Sequence, residues 1–536
     1  MLFLRLGIVL LTSVNLSTAA TWPNHVIDEL EHLLVDTDGF NDAGFQKAIT
    51  PCSNYVSGSQ LLGRETAAQW IRVAFHDFAT ADVKAGTGGV DASIGFETLR
   101  PENSGAAMND SLGFFAPFVN AHASTTSSMI TVADMIALSI IMSVGTCSNP
   151  TVAIPLRGGR IDATEGGSFG VPEPETDIET TLNQFSLAGF SQSDAIGLTI
   201  CGHTLGSVHH AGFPQVVPES AVTPNNTGGG IHFDATPDVF DVDVLNEYLE
   251  WKGQRGGPLV TTDNVTVRSD LRLYLSDNNA TLQGLAESSS TFRSTCASLL
   301  TRMINTTPAS TQLTDVIDPI EVKPVNVSLT VGGSGELHFS GYIRLLSAAF
   351  QYSDEVVVSW TSRAGSSSPG FNTRATAVAN GNSSMFGETF YHFFNTSIDP
   401  SAGISAFNVT ILRGGSAPQI FSNGGGGYPM EDVAIFLPHE TTIASNGSIS
   451  MSAVVLTAAN AQNVSATISA PSPQLGTLSP TIVQSVVAFE KSGTRGLYTT
   501  YSATLPPVSN LRQTTLDLTA SGDRTVYRDE FRRITL

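Results

Sequence analysis

Basic residues are scarce in this chain. Lys and Arg number 26 against 48 Asp and Glu over 536 residues, a formal net charge of -22. A surface this acidic repels phosphate backbones and anionic headgroups, which argues against nucleic acid or an acidic membrane as partner. Charged residues of both signs reach only 14%, beside 41% hydrophobic residues, as in a globular protein. Cysteine is sparse too: the 4 present are Cys52, Cys147, Cys201 and Cys296. Their wide spacing excludes a zinc knuckle or a Cys-x-x-Cys redox pair. Beyond the N-terminus no apolar run is long enough for a transmembrane helix. No internal repeat is visible, and Arg532-Arg533-Ile534-Thr535-Leu536 is not a lipid-anchor tail.

The first twenty residues are different. Arg5 is a basic n-region, Leu6 to Val14 is mostly apolar, and Ser17-Thr18-Ala19-Ala20 puts small residues before Thr21. That is the pattern of a secretory signal over 1–20, so the chain is expected to be secreted and extracellular. Asn-x-Ser/Thr sequons at Asn109, Asn225, Asn264, Asn279, Asn305, Asn326, Asn382, Asn395, Asn408, Asn446 and Asn463 fit that route. In an oxidising compartment one or two disulfides are expected.

The length exceeds what one core usually carries, which predicts two domains. From 21 to 316 apolar residues recur at helical spacing, as in Ile27–Leu34, Thr66–Phe78, Ile130–Ser143 and Ser290–Ile304. From about 320 the period changes to alternation, first in Asn326-Val327-Ser328-Leu329-Thr330-Val331 and later in Phe407–Leu412 and Thr514–Thr519. Short strands between Gly, Ser, Asn and Pro turns predict a β-sandwich. The expected architecture is a mainly α domain over 21–316 and an all-β, sandwich-like domain over 320–536, with the boundary near 310–319.

The densest chemistry lies in Arg72-Val73-Ala74-Phe75-His76-Asp77. Arg72 and His76 are one helical turn apart and share a face. A fixed cation beside a weak base suits cleavage of a polarisable bond: the imidazole moves a proton and the guanidinium holds the developing negative charge. A lone helix histidine is more often structural, but a second histidine segment follows at Cys201-Gly202-His203-Thr204-Leu205-Gly206. Together the two segments resemble the distal and proximal halves of the haem site in the plant, fungal and bacterial peroxidase superfamily, and its secreted fungal members most closely.

That resemblance implies a set of roles. Asn103, six residues after Glu97, accepts the Nδ1–H of His76 and frees Nε2 as a base, with Glu97 supporting Asn103. Phe75 is the ring over the haem. His76 takes the proton from the near oxygen of hydrogen peroxide and returns it to the departing far oxygen, while Arg72 stabilises the leaving hydroxide. His203 is the axial ligand of haem b, Asp270 in Arg268-Ser269-Asp270 its proximal carboxylate, and Phe233 the proximal stacking ring. Two Ca²⁺ sites are implied. One uses Asp77, the Gly89 carbonyl, Asp91 and Ser93; the other uses Thr204, Asp234, Thr236, the Val239 carbonyl and Asp241. Each cluster alone reads as an acidic turn, yet each adjoins a haem histidine in sequence, and hard oxygens on a glycine-permitted turn are what Ca²⁺ takes. Cys52 is expected to pair with Cys147; Cys201 and Cys296 either pair or stay buried thiols. An Asp134–Arg160 ion pair is an expected architectural tie.

The departures bear on the reductant. Where manganese-oxidising members carry three acids, this chain has Glu65, Gln69 and His209, a poor hard-cation set. Where lignin-oxidising members have an exposed Trp it has Leu198, and Trp70 reads as core. The expected donors are therefore phenols and other small aromatics at the haem edge. In the β part Tyr352, Trp360, Tyr391, Tyr428, Tyr498 and Tyr501 could stack on sugars of a cell-wall polymer, although most such residues are core. The competing function is a non-enzymatic carbohydrate-binding or adhesion protein on a peroxidase scaffold.

Overall fold

The computed structural model describes residues 22–56, 64–121, 128–508 and 510–534. The signal reading at 1–20 lies outside the described residues. Helices occupy the first part, and from Val322 onward strands take over.

Helix Thr66–Phe78 carries Arg72 and His76. Its apolar side, including Trp70, Val73, Ala74 and Phe78, packs into one core with helix Val132–Cys147. The latter helix is buried almost all round, as its unbroken apolar sequence demands. Thr131 caps it by accepting from Asp134 N–H, and Asp134 in turn holds the buried Arg160 at 3.0 Å. The expected architectural tie is thus present. Helix Gln192–Gly202 opens on a Ser191–Asp194 capping box and ends at His203. Both cysteine pairs are bridged. Cys52 meets Cys147, and Cys201 joins helix Gln192–Gly202 to Cys296 in helix Ser289–Ile304.

The β part is wholly antiparallel and holds two apolar cores. The first lies between two sheets. One contains strands Val322–Val331, Leu337–Leu346, Gly387–Ile398 and Ala377–Ser383; the other contains Glu355–Thr361, Ser367–Arg374, Ala406–Leu412 and Gln419–Phe421. Phe339, Trp360, Phe394 and Phe407 fill it. The second lies between a sheet built on Ile449–Leu456 and Tyr498–Leu505 and another built on Asn463–Ser472 and Thr515–Ser521, with Leu516 and Leu518 inside. Trp360, Tyr391, Tyr428 and Tyr498 are buried and Tyr501 packs against the second core, whereas Tyr352 is exposed.

The helical and β parts share structure. Residues Asp38–Gly39 add an edge strand to the first sheet, pairing with Asn382 and Gly381, and Trp22 sits in the first β core. Beneath that strand lies a buried ionic cluster. Arg344 Nη1 donates to Asp36 at 2.9 Å and to Glu31 at 3.1 Å, its Nη2 pairs with the other Glu31 oxygen, and Lys323 Nζ meets Glu31 at 2.7 Å. Tyr391 donates to Asp36 at 2.6 Å. Burial alone would raise both carboxyls, but Arg344 and Lys323 on Glu31, and His32 with Arg344 on Asp36, outweigh it and hold both below the usual carboxylate range. Ion pairs this deep are costly to break, because the surviving partner stays buried and uncompensated.

Candidate haem and peroxide site

Arg72, Phe75, His76, Leu198, His203 and Phe233 line one cavity of about 310 Å³. It is bounded by helix Thr66–Phe78 on one side and by the end of helix Gln192–Gly202 on the other. Cofactor pockets commonly fall between about 300 and 1,000 Å³.

On the distal wall His76 is buried, and its Nδ1 lies 2.7 Å from Asn103 Oδ1. Because Asn103 Nδ2 donates to the Glu97 carbonyl at 2.9 Å, its Oδ1 is the acceptor, which puts the His76 proton on Nδ1 and the lone pair on Nε2. Burial, aided by the Arg72 charge, lowers the His76 pKa well below its ordinary value, so the ring is neutral at physiological pH. The Glu97 support for Asn103 therefore comes from the main chain. Its carboxylate is used elsewhere, accepting from Gly167 N–H at 2.6 Å and pairing with Arg100 at 3.1 Å. Arg72 Nη1 donates to the Ser104 carbonyl at 2.9 Å, and its guanidinium lies 5.4 Å from the centre of the Phe213 ring. Burial pulls Arg72 down to about 10, which leaves it cationic at neutral pH. Gly105 runs past it at φ +97°, where an added Cβ would come within 3.4 Å of Nη1.

On the proximal wall His203 Nδ1 meets Asp270 Oδ2 at 2.7 Å. Phe233 stacks on the imidazole at 4.2 Å between centroids and 7° between planes. Asp270 is buried on helix Ser269–Leu275 and is shared with Tyr274, whose hydroxyl lies 3.4 Å from the same oxygen. With Nδ1 occupied, Nε2 is the ligating nitrogen left to His203. Tyr274, Ser104 and Phe213 were not singled out in the sequence. Tyr274, one helical turn after Asp270, carried a signal; a main-chain carbonyl and a distant ring carry none.

The structure brings together some of the residues expected at each calcium site. Asp77 accepts from Asp91, Ala92 and Ile94 N–H groups at 2.9–3.1 Å. Burial first, then the facing Asp91, raises its pKa well above normal. Thr236 Oγ1 lies between Asp234 at 3.4 Å and Asp241 at 3.2 Å, and Thr204 Oγ1 bonds the Asp241 carbonyl at 2.7 Å. Asp234 Oδ2 is buried without a partner; burial, then Asp241 and its acidic neighbours, push its pKa up to about 7. Among the described residues no group of three or more His, Cys, Asp or Glu side chains is arranged to hold a metal. Glu65, Gln69 and His209 all line the cavity, with burial and Asp238 pushing Glu65 up to about 8. Leu198 is buried, and Trp70 is core, stacked on Phe45 at 4.7 Å.

Residues 53–289 match the peroxidase family model. A WSC domain-containing protein of Arthroderma benhamiae is 34% identical over 522 residues, 96% of this chain and 67% of that protein. Residues 53–289 are thus a domain of the peroxidase family. Peroxidase likeness recurs in manganese peroxidase 3 of Phlebia radiata, 31% identical over 196 residues (34% of this chain, 48% of that protein), and in putative L-ascorbate peroxidase 6 of Arabidopsis thaliana, 33% identical over 143 residues (26% and 41%). The matches to these two peroxidases thus span less than half of their length, whereas the Arthroderma match extends through the β part. Peroxidases of this superfamily generally bind haem, and the cavity fits it. An imidazole with its second nitrogen tied to a buried carboxylate is a suitable iron ligand. Around it Phe75, Leu198, Leu205, Leu273 and Met303 give apolar walls suited to a flat macrocycle.

Proposed function

We propose that this chain is a secreted haem peroxidase that reduces hydrogen peroxide and oxidises phenolic or other small aromatic donors at the haem edge. The observation that carries this reading is the pair of imidazoles facing one cavity, each with Nδ1 held, His76 by an amide and His203 by a carboxylate. Haem b, held by His203, would supply the iron that accepts the oxidising equivalents of the peroxide. The remaining work falls to the chain. His76 Nε2 takes the proton from the near oxygen of peroxide and delivers it to the far oxygen as that bond breaks. Asn103 fixes the tautomer that makes this possible. Arg72 hydrogen-bonds the departing hydroxide from a dry wall, where a fixed donor is worth more than in water. Asp270 draws on the Nδ1–H of His203, increasing donation from Nε2.

The same proposal includes two Ca²⁺ ions, one held by Asp77, Gly89, Asp91 and Ser93 and the other by Thr204, Asp234, Thr236, Val239 and Asp241. The buried carboxylates of Asp77 and Asp234, the latter with one oxygen left without a partner, support it. We take residues 21–316 as the haem domain and 320–536 as an attached β region. Cell-wall binding by that region has weaker support, since four of its six candidate aromatics are buried.

The test is haem loading followed by peroxide. The wild-type protein is expected to give a Soret band that shifts on peroxide addition and to oxidise a small phenol. His76→Ala should keep the band and react with peroxide about 10²–10⁴ times more slowly. A protein that binds no haem, or binds it and ignores peroxide, would favour the non-enzymatic binding role on the same scaffold.

A further inference from the structure

In strands Leu337–Leu346 and Gly387–Ile398, Phe339, Ile343, Phe390 and Phe394 turn into the first β core. Their neighbours in sequence therefore share the opposite face, because successive side chains of a strand alternate. On that face three rungs follow one another. Arg344 opposite Tyr391 is buried, and both reach Asp36 of the helical part. Tyr342 opposite Phe393 is half-buried, with the two rings 5.1 Å apart. Phe40 leans on Tyr342 at 4.7 Å and on Tyr391 at 5.0 Å. Ser340 opposite Asn395 comes last, and Asn395 is exposed. The cover of the ionic cluster thus ends in half-buried rings at the rim of the contact between the helical and β parts.

Asn395 opens the sequon Asn395-Thr396-Ser397, and Phe393 stands two residues before it. Two residues along a strand is about 6.5–7 Å on one face, a span that one pyranose ring covers. Of the eleven sequons named above, Asn395 alone has an aromatic residue at that place. The floor beside it is low. Ser340 lies opposite and Ser328 beyond, their hydroxyls 3.2 Å apart, which leaves room for a bulky group. The other sequons of this sandwich are less suited. Asn326 spends its amide nitrogen on Asn41 Oδ1 at 3.1 Å and has Pro324 two residues before it, and the Oδ1 of Asn408 is buried.

We propose that Asn395 carries an N-linked glycan whose first sugar lies on the Phe393 and Tyr342 rings and seals the rim between the helical and β parts. This rests on the secretory half of the reading above. In that route the Asn395 amide nitrogen bonds the anomeric carbon of an oligosaccharide. The bond from that carbon to a lipid diphosphate breaks, and one amide proton is released. The C–H face of a pyranose is apolar, and its weakly positive hydrogens match the negative face of an aromatic ring. Stacking there removes ring surface from water. It does so one rung from Arg344, where entering water would loosen the buried ion pairs. The glycan is thus a part of the fold and not only a solubilising coat.

The experiment uses the full, haem-loaded chain secreted from a eukaryotic host, with its glycopeptides mass-analysed. Asn395 is expected to be occupied. Ser397→Ala removes the sequon hydroxyl and keeps Asn395 and Phe393; it should lower the melting temperature by about 2–4 °C. In a Phe393→Val background the same change should cost less than about 1 °C, because the ring that the sugar covers is gone. Trimming every glycan to its first sugar with an endoglycosidase should leave the melting temperature at the wild-type value. A fall on trimming that matches Ser397→Ala would put the effect in the outer sugars and overturn the stacking. An unmodified Asn395, or an equal loss in the two backgrounds, overturns the proposal, while glycans at other sequons leave the secretory reading standing. A product with no N-glycan at any sequon overturns both.

Discussion

Replacing Asp270 tests the proximal half of the site with a quantity that can be worked out in advance. Asp270 is 3% exposed and takes the His203 Nδ1–H at 2.7 Å. A hydrogen bond to an ionised group is worth about 1.5–3 kcal/mol, against about 0.5–1.5 for a neutral pair. Asp270→Asn keeps an acceptor oxygen and loses the charge, so it should cost about 1–1.5 kcal/mol, near a tenfold loss of haem retention. Asp270→Ala leaves the Nδ1–H facing an apolar gap, and the loss should approach about 100-fold, the upper end for partners of metal ligands. The assay is the rate at which each holoprotein yields haem to an excess of a haem scavenger. Thermal unfolding of the haem-free variants is followed alongside, so that changes in folding are not read as haem affinity. The iron's midpoint potential should rise in the same order, because a less polarised imidazole donates less. If Asp270→Ala kept haem as long as the wild type and left the potential unchanged, His203 would not be the ligand or Asp270 not its partner.

Other expectations concern stability. Arg344→Met removes the cation between Glu31 and Asp36 and should destabilise the protein by about 3–5 kcal/mol, read from the chemical denaturation midpoint; a change under about 1 kcal/mol would mean the cluster relaxes into water. Glu31 and Asp36 are both held below the ordinary carboxylate range, so their contribution should be intact above about pH 5 and decline as pH falls below about 4 through their folded-state values. A stability curve that fell instead between pH 5 and 7 would contradict that assignment. Elemental analysis should find two Ca²⁺ per chain, Asp234→Asn should remove one, and chelation should lower the melting temperature; a metal-free protein unaffected by chelator would dismiss both sites.

The helical half was well written in the sequence. Thr66–Phe78 was delimited by its apolar period, and that period put Arg72 and His76 on one face. What escaped was carried by main-chain atoms and long separations. Glu97 supports Asn103 with its carbonyl, which leaves no trace in residue type. Glu31 reads as a polar helix position, yet it is fully buried because Arg344 reaches it from 313 residues away. In the β half alternation revealed the strands, as over 326–331 within Val322–Val331, but it tells which face is inward and not which sheet covers it. The two separate cores were therefore hidden.

The short strand Asp38–Gly39 has a consequence for how the chain matures. Its neighbour Thr37 hydrogen-bonds the Asn382 carbonyl 345 residues ahead. A ribosome makes about 5–20 residues per second, so the N-terminal segment waits tens of seconds for its sheet partner to emerge. During that interval Trp22 and Glu31 lack the β-part residues that cover them, and Asp36 has only its neighbours His32 and Asn41. A nascent chain halted before residue 344 is expected to be recognised by chaperones as unfinished, however complete its haem-pocket helices already are.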